Sequence, residues 1–149
     1  MTFRSAAMAV ATVWLAGVVL QPAVKAQQKT VWDGVYTEEQ AKRGQAAYEQ
    51  DCASCHQPDF AGDGFAPGLA GPEFAAAWDG LPISDLFERV RQSMPPSNPG
   101  SVPPATKVDI ISYLLKGNRI PAGTTELPKE AEGLKQIQYK ASKPYCFSG

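Results

Sequence analysis

Cys52-Ala53-Ser54-Cys55-His56 is the stretch that decides how this chain folds. Cys-x-x-Cys-His is the attachment signature for haem c. The two thiols add across the haem vinyl groups as thioethers, and the histidine that follows binds the iron. Geometry explains why the motif is so short. Positions i, i+3 and i+4 share one face of a helix, so Cys52, Cys55 and His56 can all meet one porphyrin edge. His56 is the sole histidine among 149 residues, so any protein imidazole on the iron is this one.

Toward the amino terminus the chain carries the marks of an export signal. Arg4 forms a short basic start, Ala6 to Leu20 is apolar and uncharged, and Val24-Lys25-Ala26 offers a small-residue cleavage site before Gln27. The apolar run falls short of the ~20 residues that cross a bilayer, so residues 1–26 are expected to be removed rather than kept as a stable membrane anchor. No cysteine lies near the cleavage site to take a lipid. Taking 26 residues from 149 leaves 123, enough for one small domain. Removal of Arg4 and Lys25 leaves 12 basic residues against 15 acidic ones, a net charge of −3. An acidic surface of this kind offers no basic stripe for nucleic acid. With Cys52 and Cys55 assigned to haem, Cys146 is left alone.

The rest of the chain reads as helices separated by loops. Gln27 to Val35 looks like a polar lead-in with Trp32 exposed. Thr37 and Gln40 form a capping-box pattern, with Glu38 and Glu39 at the positive end of the helix dipole. A helix is therefore expected from about Glu38 into the motif. Gly44 lies inside it at a cost of ~1 kcal/mol relative to alanine. Close approach of another helix would give that glycine a purpose; a tolerated glycine without a role is the alternative. Gln57 to Gly71 is a Gly/Pro-rich loop. A short helix follows Pro72, with Phe74 and Trp78 one turn apart and Gly80 ending it. Ser84 is expected to cap a third helix over Asp85–Ser93, stopped by Met94-Pro95-Pro96. The last helix starts near Ser101 and carries the apolar stripe Val108, Ile111, Leu114 and Leu115, with Gly117 at its C-terminal cap. No segment alternates as a strand would, so the domain, residues 27–120, is expected to be all-α. Residues 121–149, rich in Gly, Pro, Lys and Glu, are expected to form an irregular C-terminal tail along the surface.

A haem that passes electrons without binding small molecules needs a second axial ligand, and a thioether raises the potential by favouring ferrous iron. Met1 and Met8 lie in the leader, which leaves Met94 as the candidate. The alternative for Met94 is an ordinary core filler. His56 needs an acceptor for its other ring nitrogen, and the Pro67 carbonyl is a reasonable source. Leu69 would then face the porphyrin. Phe74, Trp78, Leu86, Phe87 and Val90 supply apolar bulk for a haem cavity, or plain core.

Over about Thr37 to Gly117 the chain resembles class I c-type cytochromes. The resemblance is carried by Gly44 and Tyr48, the Cys52–His56 motif, Pro67-Gly68-Leu69, Met94-Pro95, and the final helix with Tyr113 and Leu114. It implies a cytochrome c fold of about four short helices wrapped around one covalently bound haem c. In that family the first and last helices cross at the glycine and aromatic, the proline carbonyl accepts from the proximal histidine, and the methionine is the sixth ligand. Val31 to Thr37, Gly71-Pro72-Glu73-Phe74 and Trp78-Asp79-Gly80 are similar to small bacterial cytochromes associated with quinoprotein dehydrogenases. The function implied is electron transfer in the periplasm by a monomer that meets a redox donor and acceptor, such as a quinoprotein dehydrogenase or a terminal oxidase. Two other classes compete. One is a haem enzyme or sensor, peroxidase-like or gas-binding, with a displaceable sixth ligand. The other needs no haem and uses Cys52 and Cys55 as a redox dithiol or half a zinc site.

Overall fold

The computed structural model describes residues 28–144. The expected signal segment and Cys146 both lie outside the described residues. Six helices are present among the described residues, together with one two-residue strand pair, and the fold is all-α. In chain order they are β1 (Lys29–Thr30), a 3-10 turn over Val31–Asp33, α1 (Glu38–Asp51), α2 (Ala53–His56), α3 (Pro72–Trp78), α4 (Ile83–Ser93), α5 (Pro104–Gly117), α6 (Ala131–Lys135) and β2 (Ile137–Gln138). Two helices, the short α2 and α6, are additional to the four expected.

The crossing of α1 and α5 is the centre of the fold. Thr37 caps α1 by accepting from the Gln40 N–H, but the reciprocal half of the expected box is not formed, because the Gln40 amide is engaged by the Leu127 backbone. At the crossing, a Cβ on Gly44 would lie 1.8 Å from the Asp109 carbonyl oxygen, so only a glycine lets the two backbones approach. Arg43 reinforces the crossing at the rim, pairing with Asp109 at 3.0 Å and with Glu126 at 2.8 Å. Below it, Tyr48, Phe60 and Tyr113 pack as an aromatic trio with centroids 5.0–5.5 Å apart. A side chain on Gly117 would collide with the Phe60 ring. That close packing, rather than a left-handed cap, is what Gly117 provides; Asn118 holds the C-cap position.

Two other local expectations differ. Pro82 occupies the N-cap of α4, and Ser84 lies buried inside the helix with its hydroxyl on Asp85. The lead-in is not a polar strand of solvent-facing residues. Val31, Val35 and Tyr36 are buried, Tyr36 donates its hydroxyl to the Ile120 carbonyl at 2.6 Å, and half-buried Trp32 donates its indole N–H to Lys140 O.

The largest departure concerns residues 121–144, expected as an irregular surface tail. They contain α6 and β2, and Leu127, Leu134, Ile137 and Tyr139 are all buried in the same apolar cluster as Val31, Ile83, Leu86, Phe87 and Val108. The Gln40 amide explains how the chain is threaded inward, since it donates to the Leu127 carbonyl at 3.2 Å and accepts from the Leu127 N–H at 2.7 Å. β2 pairs in parallel with β1, and α6 packs on α4. The segment is polar in composition, yet its few large apolar residues all point inward.

Candidate haem-binding site

The motif sits where α1 breaks into α2. Cys52 is the joint: its N–H still bonds to Tyr48 O at 2.9 Å, and its own carbonyl accepts from the Cys55 and His56 N–H groups at 3.2 and 3.0 Å. Cys52, Cys55 and His56 thus lie on one helical turn, as the spacing requires. Gln57 leaves that turn at φ 63°, and its carbonyl accepts from the Tyr48 hydroxyl at 2.7 Å. The first helix therefore braces the residue that redirects the chain after the histidine.

His56 is only 7 % exposed. Its Nδ1 lies 2.9 Å from the Pro67 carbonyl oxygen, which cannot donate, so Nδ1 carries the proton. The Nε2 lone pair is thereby available to a metal, with the ring held in one orientation. The loop that delivers Pro67 is itself tied down. Gly62 N–H donates to His56 O, and Asp63 accepts from the Phe65 and Ala66 N–H groups at 2.9 and 2.7 Å. Those bonds, that from Ala66 first, hold the Asp63 carboxyl below the usual aspartate range. Leu69, half-buried, touches both apolar clusters, and its carbonyl accepts from Asn118 at 2.9 Å. Trp78, also half-buried, packs on Phe74 with centroids 6.2 Å apart.

Met94 closes α4, donating its N–H to Val90 O at 3.0 Å and leaving in an extended conformation, φ −127° and ψ 137°. The turn after it is fixed by Asn98 N–H on Pro95 O and by Ser101 N–H on Asn98 O. Its side chain is half-buried.

The thiols differ in setting. Cys55 is exposed and Cys52 half-buried, and burial, helped by Asp51, pushes the Cys52 thiol up to about 11. A reactive dithiol wants a depressed pKa, so the dithiol reading gains nothing here. Among the described residues no three His, Cys, Asp or Glu side chains gather as a metal cluster, so the zinc reading finds no further ligands there. Two surface clefts, one between the amino-terminal segment and residues 123–137 and one beside α3 and Arg119, include none of Cys52, Cys55, His56, Pro67 or Met94 in their walls. What fits haem c is the donor set: two thiols and an imidazole on one turn, the imidazole oriented through its far nitrogen.

Several contributors escaped the sequence reading. Tyr48 and Asn118 act through hydroxyl and amide groups on loop carbonyls, which no spacing rule reveals. Lys107 is 2 % exposed and had a signal, because it falls on the apolar stripe one turn before Ile111.

Comparison with known families agrees with the geometry. The family model described as cytochrome C oxidase, cbb3-type, subunit III matches residues 39–114, half of the chain. No curated protein and no solved structure matches significantly. The matched domain is a c-type cytochrome domain, and it implies one covalently bound haem c with its iron. Domains of this kind are typically electron carriers and usually exported. The chain belongs to the cytochrome c oxidase, cbb3-type, subunit III family, and is a haem c electron-transfer protein with an all-α cytochrome c fold.

Proposed function

We propose that this chain is a periplasmic one-electron carrier whose haem is attached at Cys52 and Cys55 and ligated by His56 and Met94. The observation that carries the reading is the 2.9 Å bond from His56 Nδ1 to Pro67 O, which leaves Nε2 for the iron. Bound there, haem supplies a ferric–ferrous couple that accepts and releases one electron. The protein's part is to hold that couple still. Tyr48 and the Asp63 turn fix the His56 side, while α4 and the turn after Met94 fix the thioether side. Pro67 and Leu69 belong to the binding wall, with Trp78 on its apolar flank. Residues 1–26 serve as the export signal, and no helix among the described residues is long and apolar enough to cross a membrane.

With a net charge of −3 after processing, the carrier meets a basic donor or acceptor, and association weakens as salt rises. A quinoprotein dehydrogenase or a terminal oxidase suits the role, through a small transient contact. With His56 and Met94 both held for the iron, the ferrous protein at neutral pH should be indifferent to carbon monoxide and should not turn over peroxide. Rapid stoichiometric carbon monoxide binding by untreated protein would transfer the assignment to an enzyme or gas sensor.

A further inference from the structure

Lys107 is the only lysine fully buried among the described residues. No carboxylate pairs with it there. Its ammonium instead donates to two backbone carbonyls, that of Pro99 and, at 3.4 Å, that of Arg91. A buried charge persists only where such bonds compensate it.

The identity of those carbonyls is informative. Arg91 lies in the last turn of α4, and its carbonyl would ordinarily receive the N–H of residue 95. Residue 95 is proline and has none. Lys107 supplies the missing donor, and a cation at a helix C-terminus is further favoured by the dipole. Pro99 stands on the other side, beyond Met94 in the turn. The two bonded carbonyls therefore lie three residues before and five residues after Met94.

The rest of the linkage runs to the haem-attachment turn. Lys107 is in the first turn of α5, α5 crosses α1 at Gly44, and α1 runs directly into Cys52.

We propose that Lys107 is a positioning residue: by holding the carbonyls on both sides of Met94 against α5, it keeps the Met94 thioether at the haem. The proposal rests on the reading of Met94 as sixth ligand.

The test uses the full, haem-loaded protein, with imidazole as a competing ligand for the ferric iron. Lys107→Met keeps the length and apolar stem but removes charge and donors. A competitor's apparent affinity scales with the fraction of molecules in which the native ligand is off. Losing two bonds from a charged donor should raise imidazole affinity about tenfold or more, weaken the thioether-to-iron band of the ferric spectrum, and speed amide exchange at Asn98 and Ser101. Covalent attachment should be unchanged. Lys107→Arg, which retains the donors, should restore most of the native behaviour. In a Met94→Ala background, Lys107→Met should alter imidazole affinity less than about twofold.

Unchanged affinity and band in Lys107→Met, alongside a band abolished by Met94→Ala, would overturn the positioning role and leave the ligand assignment standing. A band that survives Met94→Ala would instead overturn the assignment. An effect of Lys107→Met that persists in full in the Met94→Ala background would show that Lys107 acts elsewhere, and would also overturn the proposal. Should Lys107→Met not accumulate with haem, Lys107→Gln, shorter and uncharged, must raise imidazole affinity in the same direction, and an unchanged value refutes the role.

Discussion

Replacing Leu134 by alanine tests how residues 121–144 contribute to the domain. Leu134 is wholly buried in α6, in the cluster that includes Leu86 and Phe87 of α4. Three carbons leave, worth roughly 2.4 kcal/mol at ~0.8 kcal/mol per methylene. The cavity left behind brings the expected loss to about 3–4 kcal/mol. For a chain of this size that is a fall in Tm of roughly 12–16 °C at ~4 °C per kcal/mol. In urea it is a midpoint shift of roughly 1.5–2 M at a slope of ~2 kcal/mol/M. The assay is urea unfolding of the haem-loaded protein followed by far-UV circular dichroism, with the slope checked for constancy. Lys135→Ala in the same helix is the control, because Lys135 pairs only with exposed Glu132 and its loss should leave the midpoint in place. A Leu134→Ala loss below about 0.5 kcal/mol, the range of surface substitutions, would refute the packing of α6 into the core.

Two further outcomes follow from local geometry. Gly44→Ala should destabilise the protein by about 1–3 kcal/mol, although alanine gains ~1 kcal/mol in helix propensity, because its Cβ would meet the Asp109 carbonyl; equal or greater stability by thermal melting would show that α1 and α5 do not cross so closely. The Asp63 turn should hold at neutral pH and loosen under acid, since a carboxylate whose folded pKa is depressed stabilises above its unfolded value and is lost as pH falls through the folded one. Amide exchange at Phe65 and Ala66 reports this directly, and protection that stays constant through acid pH, or survives Asp63→Ala, would contradict the carboxylate's role.

What could be read from the sequence divides along physical lines. Helices α1, α3, α4 and α5 announce themselves locally, through the Thr37 cap, the Pro72 start, the Met94-Pro95-Pro96 stop and the stripe from Val108 to Leu115. Gly44 could be anticipated because a glycine inside a helix is costly without a close neighbour, and Asp109 is that neighbour. The bond between His56 and Pro67 is what a ligating imidazole needs, and the two atoms lie 2.9 Å apart. The C-terminal segment was illegible for the opposite reason. Leu127, Leu134, Ile137 and Tyr139 are spaced without period among Gly, Pro and charged residues, and what draws them inward is distant in sequence: the Gln40 amide, β1, and the Phe74 ring against Tyr139. Ser84 misled because the helix begins two residues earlier, with Pro82 at its N-cap and Ile83 its first residue. Lys107 was not singled out although it falls on the apolar stripe one turn before Ile111, and its carbonyl partners exist only once Pro95 has ended α4.

The most direct test of His56/Met94 ligation is the proton NMR position of the Met94 ε-methyl in the reduced protein. On the proposed removal of residues 1–26, Met1 and Met8 go with the leader, and methionine labelled with 13C at the methyl should give one resonance, that of Met94. A thioether bound to ferrous iron holds its methyl over the porphyrin face, where the ring current shifts it far upfield. Ligation by Met94 requires one such strongly upfield methyl, lost on Met94→Ala. A methyl at the ordinary position for an unbound methionine would contradict it.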